Sequence, residues 1–296
     1  MPNRMTRLYG LSLFLTCGVL FLLMAGGLVT SHQAGLAVPD WPLSYGRFFP
    51  PMVGNIFWEH GHRMIAGAVA LLTVLNAVLI QKYEPRTGIR RLAWAGVVMV
   101  FTQALLGGLT VLLLLPPAVS IAHACLGQTF FCLVIALTYY QSPFAETENP
   151  ADPPEAPRIR RLARLTFIFL YLQLILGATV RHTSLGVPYH VIGAFLVVVH
   201  VLLLSSRLLH AGRWYEHLSR PALLMAAMTL LQVFLGIGSF IFKFMVRQGY
   251  QPSLGRVAFT AAHQTLGAVI LGTAALILVA VFPVPRSMRL AAKAAA

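Results

Sequence analysis

Eight stretches of about 20 apolar residues, at roughly 8–30, 57–80, 92–115, 118–140, 162–181, 188–209, 221–245 and 257–282, constrain this chain more than any other feature. A helix needs about that length to cross a ~30 Å hydrocarbon core. Lipid offers backbone N–H and C=O groups no partner, so a spanning segment is a helix or part of a closed barrel. No barrel-like alternation of apolar and polar residues is present. The expectation is an all-α integral membrane protein with eight transmembrane helices. Only 10% of residues are charged and 58% are hydrophobic, whereas a soluble domain carries roughly 25% charged residues. The first stretch follows a basic segment, as a signal peptide would. It is longer than such a core and lacks an A-x-A cleavage site, so it is read as a retained helix.

The formal charge of +14 would raise the question of nucleic acid in a soluble protein. Its distribution answers differently. With a cytoplasmic N-terminus, 16 of the 22 Lys and Arg residues fall in inner segments, and Arg47, Arg63, Arg181, Lys243, Arg247 and Arg256 fall outside. That is the positive-inside bias of a multi-pass protein with both termini in the cytoplasm. The basic excess sets topology, and no nucleic-acid partner is expected. Cys17, Cys125 and Cys132 all lie within spans, so no loop disulfide is available and they read as small core residues.

The proline-rich, polar segment 141–161 separates four spans from four. Residues 1–140 and 162–296 are accordingly read as two tandem four-helix bundles with a cytoplasmic linker between them. Internal repeats support a duplication. Ala122-His123 with Leu126-Gly127 matches Ala262-His263 with Leu266-Gly267, and Gln103 with Leu106-Gly107 matches Gln232 with Leu235-Gly236. Gly27 with His32 matches Gly177 with His182, and His62 opens span two as His190 opens span six. Four-helix repeats share one orientation, which implies a pseudo-twofold axis along the membrane normal.

His62, His123, His190 and His263 lie near the outer ends of the even-numbered spans, two in each half. A haem iron takes axial ligands from opposite faces of a porphyrin, and imidazole ligates it well. Two helices presenting histidine at one depth meet that need. Positions four residues on are Ala66, Gly127, Ala194 and Gly267, small enough to leave a flat surface for a macrocycle, although small residues also serve close helix packing. Zinc fits less well, since no cysteine or carboxylate cluster completes a tetrahedral site. His200 lies about 15 Å deeper than His190 at ~1.5 Å per residue and reads as a core residue. His32 and His182 end spans one and five, as interfacial residues or propionate contacts.

Only two acidic residues, Asp40 and Glu59, are on the outer side, and Glu59 shares a helix face with His62. The position equivalent to Glu59 in the second half is Val187. The halves are therefore chemically unequal. A carboxylate beside one pocket can accept a proton or stabilise positive charge developing on a substrate carbon. A local ion pair with Arg63 would explain it too. The loop 32–56, rich in proline and aromatics, reads as an interfacial segment or a lid over the first pocket.

Taken together, Gly26-Gly27-Leu28-Val29-Thr30, Asp40-Trp41-Pro42-Leu43, Tyr45-Gly46-Arg47, Glu59-His60-Gly61-His62-Arg63, Gln103 to Gly108, Ala122-His123, Gly177 to His182 and Ala262-His263 resemble the heme A synthase family over nearly the whole length. Glu59 to Arg63 fits the family's E-x-x-H-R. The resemblance implies a bacterial inner-membrane oxidoreductase that oxidises the C8 methyl of heme O to a formyl group by successive hydroxylations, with electrons leaving through a bound haem b. It implies Glu59, His62 and His123 at the substrate site and His190 and His263 as axial ligands of the haem b iron. Arg63, Arg181 and Arg256 are candidates for the propionates. A farnesyl-transferring heme O synthase is the implied partner, and self-association stays open. One branch of the family has a cysteine pair in the first outer loop. Here Ala37-Val38 and Ser44 occupy that region, so electron export takes another route. A diheme cytochrome b that only transfers electrons would fit the histidine pairs but gives no reason for Glu59. A haem carrier fits poorly with largely uninterrupted spans.

Overall fold

A computed structural model describes residues 4–146, 153–247, 249 and 251–289. It contains α1 (Arg4–Ser31), α2 (Gly54–Tyr83), α3 (Thr87–Leu112), α4 (Pro117–Gln141), a single turn α5 (Pro143–Glu146), α6 (Ala156–Thr183), α7 (Val187–His210), α8 (Glu216–Phe240) and α9 (Leu254–Val281). A π-helical turn, Ile241–Met245, prolongs α8. Among the described residues eight helices are long and apolar enough to cross a membrane, and the chain is a multi-pass membrane protein.

The helices overrun the apolar stretches, because an interfacial turn satisfies its backbone as well with polar side chains as with apolar ones. Thus α6 begins at Ala156, six residues ahead of the expected span and inside the segment read as a linker. Residues 147–152 of that segment lie outside the described residues. In the other direction, α3 stops at Leu112 rather than 115. Leu114 and Leu115 take φ near 60°, and Pro116 and Pro117 follow. Proline has no N–H to continue a helix but suits its first turn, so the chain turns there and α4 starts with Pro117.

In the first half α1 packs on α2 and α4, and α3 on α2 and α4; in the second, α6 packs on α7 and α9, and α8 on α7 and α9. The halves meet where α9 lies against α1 and α4 and where α4 lies against α6. Consequently α9 is the most enclosed helix: half of its apolar window is buried, against 17% for α7. Gly272 allows the α4–α9 approach, since a Cβ there would stand 2.6 Å from Ile135 and 2.7 Å from Phe131. Buried polar groups add directional contacts. The Asn76 and Gln141 amides both donate to Ser12 Oγ, at 3.1 and 3.0 Å, joining α1, α2 and α4. Between α2 and α3, the fully buried Glu84 takes a two-pronged ion pair from Arg86 at 2.7 and 2.9 Å.

Candidate functional site

Each of His62, His123, His190 and His263 lies within ten residues of the start of its helix, and alternation of direction brings these starts to one end of the molecule. The loops 32–53, 113–116 and 184–186 lie at that same end, as do the described residues between α8 and α9.

The four imidazoles share one local construction. Each ring rests edge-on against a glycine of the preceding helix. A Cβ built on Gly26, Gly107, Gly177 or Gly236 would stand 3.0, 3.1, 3.0 or 3.1 Å from Cε1 of His62, His123, His190 or His263 respectively. A larger residue there would push the ring by a few tenths of an ångström or more. Nδ1 of His62, His123 and His190 is buried without a hydrogen-bond partner, whereas Nδ1 of His263 faces the Gln232 carbonyl at 3.2 Å. A metal-bound histidine commonly donates its second ring N–H to such a carbonyl.

The His190 and His263 ring centroids are 6.2 Å apart with planes at 80°. Two imidazoles ligating one metal from opposite sides, with bonds of about 2 Å, stand roughly 6 Å apart between ring centres. The pair therefore fits an iron held between them. His62 and His123 lie within electrostatic range of each other. Of the remaining histidines, His182 lies within electrostatic range of His123, Arg181 and Lys243, whereas His200 and His32 have other surroundings. His200 donates from Nδ1 to the Leu196 carbonyl at 2.8 Å and lies against Phe169, and His32 stacks on Trp58 at 4.0 Å.

Sequence reasoning missed one component. Gln103, Gln173 and Gln232, each four residues before a backing glycine, donate from Nε2 to the backbone carbonyls of His123, His190 and His263 at 2.8, 2.9 and 2.9 Å. Their Oε1 atoms are buried without a partner. The recurring Q-x-x-x-G spacing was the available signal, and it was read in only two of its three places, as a mark of duplication. Two corrections follow. Gly127 and Gly267 do not offer a free flat surface: the Gln103 and Gln232 amides cover them, at 3.0 and 3.1 Å from a Cβ built there. The pairing of Gly27 with Gly177 is also displaced by one residue, since Gly26 backs His62 while Gly27 faces Gln264.

Glu59 is buried, and both of its oxygens have partners: Oε1 pairs with Arg63 at 2.6 Å, and Oε2 accepts the Val38 N–H at 2.8 Å. Arg63 donates onward to the Asp40 and Leu43 carbonyls at 2.7 and 2.9 Å. His60 completes the anchorage through Ser44 Oγ at 2.8 Å. The turn Glu59–Arg63 thus fastens the loop 32–47. Within the loop, Asp40 accepts the Tyr45 and Gly46 N–H groups at 2.6 and 2.8 Å. The Gly46 bond, aided by those of Tyr45 and by Arg63 and opposed by partial desolvation, holds the Asp40 carboxyl below its ordinary range. Further along, the Trp41 indole covers Gly108 of α3, at 2.7 Å from a Cβ built there, beside the glycine that backs His123. The loop thereby touches α2, which bears His62, and α3, whose Gly107 backs His123.

Arg181 joins the halves. Nη2 donates to the Gly27 carbonyl at 2.7 Å and Ser31 Oγ at 3.0 Å, Nη1 to the Thr260 carbonyl at 3.3 Å, and Nε is buried without a partner. Lys243 donates to the Val180 and Arg181 carbonyls at 2.7 and 3.2 Å, and both cations lie within electrostatic range of Arg256.

The sequence profile of the COX15-CtaA family, described as cytochrome oxidase assembly protein, matches residues 53–192. That segment includes Glu59, His62, Arg63, His123, Arg181 and His190, while Arg256 and His263 fall beyond it. Proteins named "Heme A synthase" from Symbiobacterium thermophilum and Bacillus pumilus are each 31% identical to this chain over 186 and 181 residues. The matches cover 60% and 59% of this chain and 60% and 58% of those relatives. A third protein of that name, from Brucella ovis, is 35% identical over 129 residues, 40% of this chain and 35% of its own length. The chain thus spans about three fifths of the length of the first two curated relatives. The chain is therefore similar over a little under half of its length to the COX15-CtaA family, and over about three fifths of it to proteins named heme A synthase.

Proposed function

We propose that the protein is a heme A synthase, an oxidoreductase that converts the C8 methyl of heme O to a formyl group by successive hydroxylations. The observation that carries the reading is the fourfold arrangement of imidazole on glycine, with His190 and His263 at the spacing of two axial ligands on one metal. In this reading residues 1–140 and 162–296 are two bundles joined by the linker 141–161. His190 and His263 hold haem b, which supplies one-electron chemistry when bound, and His62 and His123 hold the substrate haem. The histidine end faces outward from a bacterial inner membrane, and a heme O synthase is the supplying partner.

The chain's own residues define what the first pocket does. Glu59 is fixed by Arg63 and the Val38 N–H, and each of its oxygens keeps a lone pair beyond the bond it already accepts. A carboxylate so held accepts a proton at Oε2 without moving, and its negative charge stabilises positive charge developing on a nearby carbon. The loop 32–47 covers this end and limits water. Arg63 serves the loop, so Arg181, through its unpartnered Nε, and Arg256 are left to meet propionates.

Replacing Glu59 by glutamine keeps shape and removes charge. Glu59→Gln is expected to retain haem while heme O conversion falls about a hundredfold or more, the span typical of general acid–base groups. Extraction and chromatographic identification of haem types from cells expressing each form checks this. Heme A at wild-type levels from the variant would remove Glu59 from the chemistry. Protein that carries haem b alone, and never heme O or A, would favour the electron-transfer reading.

A further inference from the structure

The four histidine sites are not held equally. Three have a glutamine that ties the histidine's own carbonyl to the helix bearing its glycine, at 2.8–2.9 Å. Each glutamine fits because a glycine stands three or four residues beyond the histidine: Gly127, Gly193 and Gly267. At His62 both parts of the device are absent. The residue four before Gly26 is Leu22, and the positions three and four beyond His62 are Ile65 and Ala66. A glutamine there would meet a Cβ. The turn bearing His62 is fastened instead from outside, through Glu59 to the Val38 N–H, His60 to Ser44, and Arg63 to the Asp40 and Leu43 carbonyls.

From this asymmetry we infer that His62 is the exchangeable axial ligand, the one imidazole of the four built to let go, and that its hold depends on the loop 32–47 staying seated on α2. The inference rests on the haem reading above and adds a division of labour to it. His123, clamped by Gln103, stays as the fixed ligand of the same pair. His190 and His263, clamped by Gln173 and Gln232, hold a resident group on both sides. A site that must take in one haem and release another needs one side that opens, and the fold leaves one side unclamped.

Carbon monoxide probes this directly, because it binds ferrous haem only where an axial imidazole detaches. The full-length protein, purified with its haems and reduced with dithionite, is expected to bind carbon monoxide at one haem and leave the other unchanged in the Soret region. The double variant Leu22→Gln with Ala66→Gly installs the missing clamp and should lower the open fraction at that haem roughly fivefold, the scale of one net amide hydrogen bond. Gln173→Leu, which needs no new side chain to fit, should do the reverse and make the second haem reactive. Equal reactivity of both haems in the wild type, or reactivity unmoved by both variants while the Soret bands persist, would overturn the inference alone. Protein without any Soret band would overturn the haem reading and this inference with it.

Discussion

At the scale of single residues, the site is decided by what is small and what is paired. Gly177→Ala places a methyl 3.0 Å from the His190 ring, so the ring must shift by a few tenths of an ångström. Haem retained per protein, read from Soret absorbance, is expected to fall severalfold. Gly67→Ala is the contrast: nothing lies within 4 Å of a Cβ there. Removing a flexible glycine from a helix interior should leave haem binding intact and raise thermal stability by up to about 1 kcal/mol. Charge pairing has larger consequences. Arg63→Ala strands the buried Glu59 carboxylate and the loop carbonyls, and breaking a buried pair costs about 3–5 kcal/mol. Denaturation in detergent should show that loss, with the Asp40–Phe49 region becoming the first point of proteolysis.

At the scale of elements, the loop 32–47 contains a contact that depends on pH. Its Asp40 has a folded pKa held below the ordinary value, chiefly by the Gly46 N–H. Such a group stabilises the fold above its unfolded pKa of about 3.9, and the contribution disappears as pH falls through the lower folded value. Phe48 and Phe49, each 78% exposed, give pepsin a site beside it. Cleavage there should stay slow at pH 4 and accelerate toward pH 2, and Asp40→Asn should flatten that dependence by loosening the turn throughout. The helices themselves were legible in the sequence because apolar length alone dictates a span in lipid. Their ends were less so, since α6 starts within a segment whose prolines suggested loop, yet Pro157 suits a first helical turn. His62, His123, His190 and His263 were visible through their repetition. The glutamine clamps were not, because a polar residue on a membrane helix does not announce which neighbour it reaches. Nor were the loop anchors of Glu59 and Arg63, whose partners Val38, Asp40 and Leu43 are backbone groups and carry no residue signature.

At the scale of the molecule, the two halves are fastened by side chains as well as by packing. Arg181 on α6 reaches α1 and α9, and Gln264 on α9 donates to the Leu23 carbonyl of α1 at 3.0 Å. Fragments 1–146 and 153–296, expressed together as separate chains, should therefore copurify and carry haem. Recovery of the two fragments as independent species would show that the α1–α9 and α4–α9 contacts are too weak to hold. These same long-range bonds bear on biogenesis. The Gly27 carbonyl and Ser31 hydroxyl of α1 receive this donor only after Arg181 has left the ribosome, and Leu23 waits longer still for Gln264. A nascent chain stalled partway lacks these added donors at the end where its first histidine pair resides, so insertion of the last helix completes the fastening of the first.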